Sequence, residues 1–180
     1  MQDEKEFIES LLNSKTQNQA FQKLLFTYQK PLYFHIRNIV LDHDDTDDVL
    51  QNTFIKIFQN LKNFKGDSKL YSWMYRIATN ESLTFIKQKA KKNKISTEEL
   101  NTKIIDNLAA DVYFEGDEIQ IKLQKAIALL PTKQQLVFKM KYFEELKYEE
   151  IAVILDTSVG ALKASYHHAV KKIEAFVTTN

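Results

Sequence analysis

The 180 residues carry 25 Lys and Arg against 24 Asp and Glu, a net charge of +1, with 3 Gly, 2 Pro and no Cys. So few turn formers exclude an all-β or Rossmann-like fold, and the lack of Cys excludes disulfides and thiolate metal sites and suits a reducing compartment. No apolar run approaches the ~20 residues of a membrane span, and Met1-Gln2-Asp3-Glu4-Lys5 lacks the basic start of a signal peptide, so the sequence reads as an all-α, cytoplasmic chain that is not membrane-embedded.

Apolar periodicity predicts helices over 3–13, 17–41, 45–60 and 70–93 in the first half. Pro31 has no amide proton to donate and should bend or break the second of these. Asp44 to Asp48 crowd the start of the third, where carboxylates cap free amides and suit the helix dipole. The run His43-Asp44-Asp45-Thr46-Asp47-Asp48 lacks the Gly and the bidentate Glu of a carboxylate metal loop. His35 and His43 have no partners at hydrolase or zinc spacing, and no Gly-rich phosphate loop occurs. No catalytic residue, metal site or cofactor is therefore expected.

On the third helix Asp48, Gln51 and Ile55 share a face, with Phe54 at its flank. The stretch Phe64-Lys65-Gly66-Asp67-Ser68-Lys69-Leu70-Tyr71-Ser72-Trp73 then mixes aromatics with lysines in and beside a loop. Such mixtures hold single-stranded DNA, cations following the phosphates while aromatic faces take unstacked bases. The plainer reading of Phe64, Trp73 and Tyr75 is as core anchors. The fourth helix closes on Lys87, Lys89, Lys91, Lys92 and Lys94.

Residues 95–118 lose helical periodicity and turn acidic, which suits an extended tether; Ile104, Ile105 and Leu108 suggest that it docks along its length. A second helical unit begins near Ile119 and is punctuated by Pro131. It ends in two short helices joined at Asp156-Thr157-Ser158, with Asp156 at the left-handed exit and Ser158 as the next cap. One face of the last helix is apolar, and the other offers Gly160, Lys163, Ala164, His167 and Lys171, small and basic groups suited to a DNA major groove.

Basic and acidic residues are segregated. Lys plus Arg against Asp plus Glu stand at 6 to 9 in residues 1–60, 9 to 2 in 61–94, 1 to 7 in 95–118 and 9 to 6 in 119–180. The basic blocks fit a polyanion. The expected organisation is two small helical domains, 1–94 and 119–180, joined by an acidic linker over 95–118, the second domain containing a helix-turn-helix.

Taken in order, the segments resemble an extracytoplasmic-function sigma factor of the sigma-70 family. Asp47-Asp48-Val49-Leu50-Gln51-Asn52-Thr53-Phe54-Ile55-Lys56-Ile57-Phe58 resembles the family's core-polymerase-binding helix. Phe64 through Ala78, with Trp73-Met74-Tyr75-Arg76-Ile77-Ala78-Thr79-Asn80, resembles the segment that melts and reads the minus-ten element. Leu129-Leu130-Pro131 with Gln135, then Tyr148-Glu149-Glu150-Ile151-Ala152 and Gly160-Ala161-Leu162-Lys163, resembles the minus-thirty-five domain.

The resemblance implies a non-enzymatic initiation factor whose partners are core RNA polymerase, promoter DNA and an anti-sigma factor, with no small-molecule substrate. It assigns core contacts to Asp48, Gln51, Phe54 and Ile55, and minus-ten contacts to Lys65, Lys69, Tyr71, Trp73, Arg76, Asn80 and Lys87. Minus-thirty-five contacts fall to Gly160, Lys163, Ala164, His167, His168 and Lys171. The chain departs from the family at Ser165 and His168, where a recognition helix commonly carries arginines, and at Thr84, where an Asp is common. Two other readings fit parts of the pattern: a stand-alone helix-turn-helix regulator, and a sigma-like decoy for an anti-sigma factor.

Overall fold

The structure, a computed structural model, describes residues 2–106 and 118–179, with side chains from Glu4 onward. Among the described residues there are nine α-helices, one 3-10 turn and no strand. The helices are α1 (Gln2–Leu12), α2 (Gln17–Val40), α3 (His43–Asn60), α4 (Leu70–Lys92), α5 (Thr97–Asp106), α6 (Glu118–Ala128), α7 (Thr132–Tyr142), α8 (Tyr148–Leu155) and α9 (Val159–Thr179).

Of the bend or break expected at Pro31, the break does not occur: the helix runs from Gln17 to Val40 through it. Thr27, whose carbonyl loses its partner, and Pro31 both lie on the exposed side, so water can satisfy that carbonyl. Meanwhile Leu24, Leu32 and Ile36 on the opposite side are fully buried and hold the helix in place. The acidic cap of α3 comes two residues earlier than expected. The Asp42 carboxylate accepts from the Asp45 amide at 2.9 Å, while Asp45 itself is paired with Lys89 of α4. Burial raises the Asp45 pKa even though Lys89 opposes the shift. The start of α4 is capped from a distance, the Leu70 amide donating to Glu4 of α1 at 3.0 Å.

The extended tether is corrected over its first half. Ser96 and Glu99 form a reciprocal cap, the Glu99 amide donating to Ser96 Oγ and the Ser96 amide to Glu99 Oε2, both at 3.0 Å. That capping box starts α5. Leu100 is buried with Ile39, Ile86, Ala90 and Leu136, with Ile95 and Ile104 packed against them, and Ile105 is buried against Leu41. The docking expected of Ile104 and Ile105 is therefore present, but on a helix. Leu108 lies outside the described residues.

Helices α2, α3 and α4 pack on one another around Leu24, Leu32, Ile36, Val49, Ile57, Met74 and Ala78. Val137, Met140, Ile151, Ile154 and Leu162 from the second half join this same core. A second core gathers Ala126, Ile127, Leu130, Phe138, Ala169 and Ile173 from α6, α7 and α9. The α6–α7 turn at Pro131 is tied by Gln135, whose amide nitrogen donates to the carbonyls of Leu130 at 2.7 Å and Ala128 at 3.2 Å. No helix among the described residues is long and apolar enough to cross a membrane.

Candidate nucleic-acid interface

The loop before α4 is shaped by Gly66, which sits at φ +78° with open space where a Cβ would stand. Backbone freedom rather than room is what this glycine supplies. The turn leaves Lys65 and Lys69 exposed on either side of it. Phe64 is buried and its ring lies 5.2 Å from that of Trp73, which anchors the loop to the helix. Half-buried Trp73, with Arg76, Asn80, Asn60 and Asn63, lines an open groove of about 370 Å³ between the end of α3 and α4. The ion pair Lys56–Glu81, at 2.5 Å, borders it. Helical spacing carries the line from Arg76 and Asn80 on to Lys87, and all three are exposed. Asn60, Asn63 and Lys56 were not singled out from the sequence, because nothing local marks them as neighbours of α4.

Tyr71 is placed differently from the exposed stacking ring expected of it. Its ring lies 4.5 Å from that of Tyr75, and its hydroxyl is buried without a hydrogen-bond partner. Burial first, and then the nearby Glu150 carboxylate, push its pKa well above the ordinary phenol value. With Lys69 it lines a second, wider groove reaching Phe7 and Tyr28.

On α3, Asp48, Gln51, Asn52, Ile55, Phe58 and Gln59 form an exposed face. Ile55 and Phe58 are 50% and 41% exposed, unusual for such apolar side chains. Phe54 is a core residue, 8% exposed, and supports this face from beneath rather than presenting itself on it. Phe58 also stacks edge-on against Phe21 at 4.9 Å; it closes the segment that resembles the core-binding helix but is not among the residues assigned contacts there.

The helix-turn-helix has the expected cap geometry. Asp156 ends α8 in the left-handed region at φ 52° and ψ 54°, and Ser158 Oγ accepts from the Ala161 amide at 3.2 Å. Leu162, Ala169 and Ile173 of α9 are buried, while Gly160, Lys163, Ala164, His167, His168 and Lys171 are exposed. The ammonium of Lys163 stands 5.8 Å from the centre of the Tyr148 ring, and that of Lys141 stands 5.1 Å from it. Two cations are thus held beside one aromatic near the start of α8.

Polar contacts join α2, α4 and Lys69 just before α4 to the second half. Lys69 pairs with Glu150 at 3.4 Å, and Arg76 with Asp156 at 3.0 Å. His35 is fully buried, with Nδ1 2.8 Å from Glu144 and Nε2 2.8 Å from Thr79 Oγ1. Among the described residues, no group of three or more His, Cys, Asp or Glu is placed to hold a metal.

The Sigma-70 region 2 model matches residues 24–92 and the Sigma-70 region 4 model matches residues 120–173. The chain belongs to the sigma-70 family. Relatives include the RNA polymerase sigma-H factor of Pseudomonas aeruginosa, 29% identical over 163 residues that cover 86% of this chain and 84% of the relative. The ECF RNA polymerase sigma factor SigW of Bacillus subtilis is 28% identical over 161 residues, 85% of this chain and 86% of SigW. The ECF RNA polymerase sigma-E factor of Escherichia coli is 26% identical over 175 residues, 89% of this chain and 87% of that protein.

Among solved structures, CnrH in complex with the cytosolic domain of CnrY has a TM-score of 0.70 at 18% identity, covering 98% of both chains. RpoE from Bartonella quintana, in complex with the anti-sigma factor NepR, has a TM-score of 0.64 at 17% identity, covering 89% of this chain and 98% of that one. At these identities the likeness is one of fold. The matched regions place α2 to α4 in sigma region 2 and α6 to α9 in region 4. This protein is a sigma factor that directs transcription initiation, and its family binds core RNA polymerase and promoter DNA.

Proposed function

We propose a division of this role among three surfaces. The exposed face of α3, centred on Asp48, Gln51 and Ile55 with Phe58 added, docks on core polymerase. The loop before α4 and the groove beside it, with Lys65, Lys69, Trp73, Arg76, Asn80 and Lys87, capture the unpaired non-template strand at the minus-ten element. Helix α9 enters the major groove of upstream duplex through Gly160, Lys163, Ala164, His167, His168 and Lys171. The division into a domain over 1–94, an acidic linker over 95–118 and a domain over 119–180 is part of the same reading, as is an anti-sigma factor among the partners. The chain makes and breaks no bond; polymerase supplies the catalysis.

The observation that carries strand capture is the groove itself. An aromatic, a guanidinium and three amides converge on a cleft of about 370 Å³. Those groups can stack on a base, pair with a phosphate and read a base edge. Replacing Lys65, Lys69 and Arg76 with Ala is expected to reduce melting at least tenfold, because it removes three cations placed to follow the phosphates of the captured strand. Binding to upstream duplex should stay within about twofold. Permanganate footprinting of the melted region on polymerase complexes checks this, and footprints of wild-type strength would remove the assignment.

The recognition helix yields a separate prediction. His168→Arg adds one charge facing the expected duplex. It should tighten binding to minus-thirty-five DNA several-fold and steepen the salt dependence, log K against log salt, by about 0.9. Titration of labelled duplex at several salt concentrations measures both quantities. An unchanged slope would place His168 on the flank of the helix, away from the backbone of the DNA.

A further inference from the structure

A narrow cavity of about 60 Å³ lies where α5 meets α2, α4 and α7. Its floor is apolar, formed by the buried side chains of Ile39, Ile86 and Leu136. Lys139 opens onto the same space and is only 4% exposed. Burial pushes the pKa of this lysine down to about 8, so at pH 7 it still carries its charge. The ammonium makes no hydrogen bond and no ion pair among the described residues. Glu144 is near enough for its charge to be felt, but that carboxylate is held by His35 at 2.8 Å. Buried charges in folded proteins are as a rule paired or hydrogen-bonded, and the space left for a partner of Lys139 is the cavity.

A second unsatisfied group lines that space. Asn101 Oδ1, on α5, is buried without a hydrogen-bond partner. It is an acceptor, so it calls for a donor where Lys139 calls for an anion. At the mouth stand the exposed side chains of Lys87 and Glu98, whose charges are of opposite sign. That leaves Lys139 as the uncompensated charge within. The volume gives room for roughly four to six water-sized groups. Water alone would supply hydrogen bonds but no counter-charge, and it would gain nothing from the apolar floor.

We propose that this cavity binds a short hydroxycarboxylate of about the size of lactate. The carboxylate pairs with Lys139, the hydroxyl donates to Asn101 Oδ1, and the hydrocarbon body covers Ile39, Ile86 and Leu136. The ligand is held, not transformed. The walls come from α2 and α4 in region 2, α7 in region 4 and α5 between them. One small molecule therefore touches both sigma regions and the helix that connects them, at a site separate from the three macromolecular surfaces.

The test is an amide NMR titration of the full chain at pH 7 with sodium lactate, against sodium chloride at equal ionic strength. Lactate should give saturable shifts in α5 and around Leu136 and Lys139. Half-saturation is expected on the order of 1 mM, an affinity well within reach of so small a ligand. Acetate, which lacks the hydroxyl, should bind several-fold more weakly. Lactamide, which keeps the hydroxyl but has no charge, should bind at least tenfold more weakly. Lys139→Met should abolish lactate binding, and Asn101→Leu should lower it to the level of acetate.

The comparison of lactate, acetate and lactamide on the wild-type chain needs no variant to fold. Shifts that do not saturate, or that chloride reproduces, overturn the site as an effect of ionic strength only. Lactamide binding as tightly as lactate, or undiminished lactate binding by Lys139→Met, removes Lys139 as the anion's partner and overturns it too. Equal affinity for acetate and lactate overturns the assignment to a hydroxycarboxylate.

Discussion

Replacing Asp48 and Gln51 with Ala is expected to weaken association with core polymerase by at least tenfold while helical content stays the same. Both side chains are exposed on α3, one turn apart and in line with Ile55. Neither takes part in the core, which on this helix consists of Val49, Leu50, Phe54 and Ile57. Removing them therefore leaves no cavity and no orphaned buried group, the usual causes of large destabilisation. Half-exposed Ile55 and Phe58 supply the apolar centre that a protein interface requires, with Asp48 and Gln51 as its polar border. The minority of interface residues that carry most of the binding energy cost ~2 kcal/mol or more when truncated, about thirtyfold in affinity. Interferometry with immobilised core polymerase gives the affinity, and circular dichroism gives the helical content. Equal affinity of the double variant would mean that polymerase docks elsewhere.

Lys139→Met is expected to stabilise the chain at neutral pH. Lys139 is 4% exposed on α7 and lies beside a cavity of about 60 Å³ with Ile39, Leu83 and Leu136. Burial pushes its pKa down to about 8, and Glu144 only partly opposes the shift. An unfolded lysine titrates near 10.4. Between these values the unfolded chain holds the proton and the folded chain does not, so this residue makes stability rise with pH across that window. Below about pH 8 both states are protonated and the full penalty for burying the charge is present.

A depression of that size corresponds to roughly 3 kcal/mol, an upper limit for the gain from an apolar side chain of similar volume. The difference in unfolding free energy between Lys139→Met and wild type should therefore be largest near pH 7 and shrink towards pH 10. Denaturant unfolding at a series of pH values measures it. A variant less stable than wild type at pH 7 would show that the ammonium is paired well enough to offset its burial.

Much of the fold was legible because its signals are local. Apolar periodicity located α1 to α4, and the Asp156 exit with the Ser158 cap located the turn of the helix-turn-helix. What the residues near each other in sequence could not show was long-range. The partner of His35 is Glu144, 109 residues away, and the Leu70 amide finds its cap on Glu4, 66 residues away. Helix α5 was missed although Ser96 and Glu99 stand at capping-box spacing, because the acidic composition of 95–118 outweighed a two-residue signal. Pro31 did not end its helix, since a proline on the wet side of a long helix loses a bond that water can replace.

For the candidate interface, chemistry and spacing sorted exposed from buried correctly at Asp48, Gln51, Ile55 and Lys163, and Arg76 and Asn80, assigned by the resemblance, are exposed as well. Chemistry and spacing failed at Phe54 and Tyr71. An aromatic within an amphipathic helix can face either way when its neighbours on both sides are mixed, and only packing against α2 and α8 decides the matter.

The most direct test of the whole account is transcription reconstituted from purified core polymerase, this chain and a library of upstream DNA. Promoter-specific transcripts are expected that require the chain, disappear with Asp48→Ala and Gln51→Ala, and fall with Lys65, Lys69 and Arg76 replaced by Ala. Binding of DNA by the chain without any polymerase-dependent initiation would contradict it.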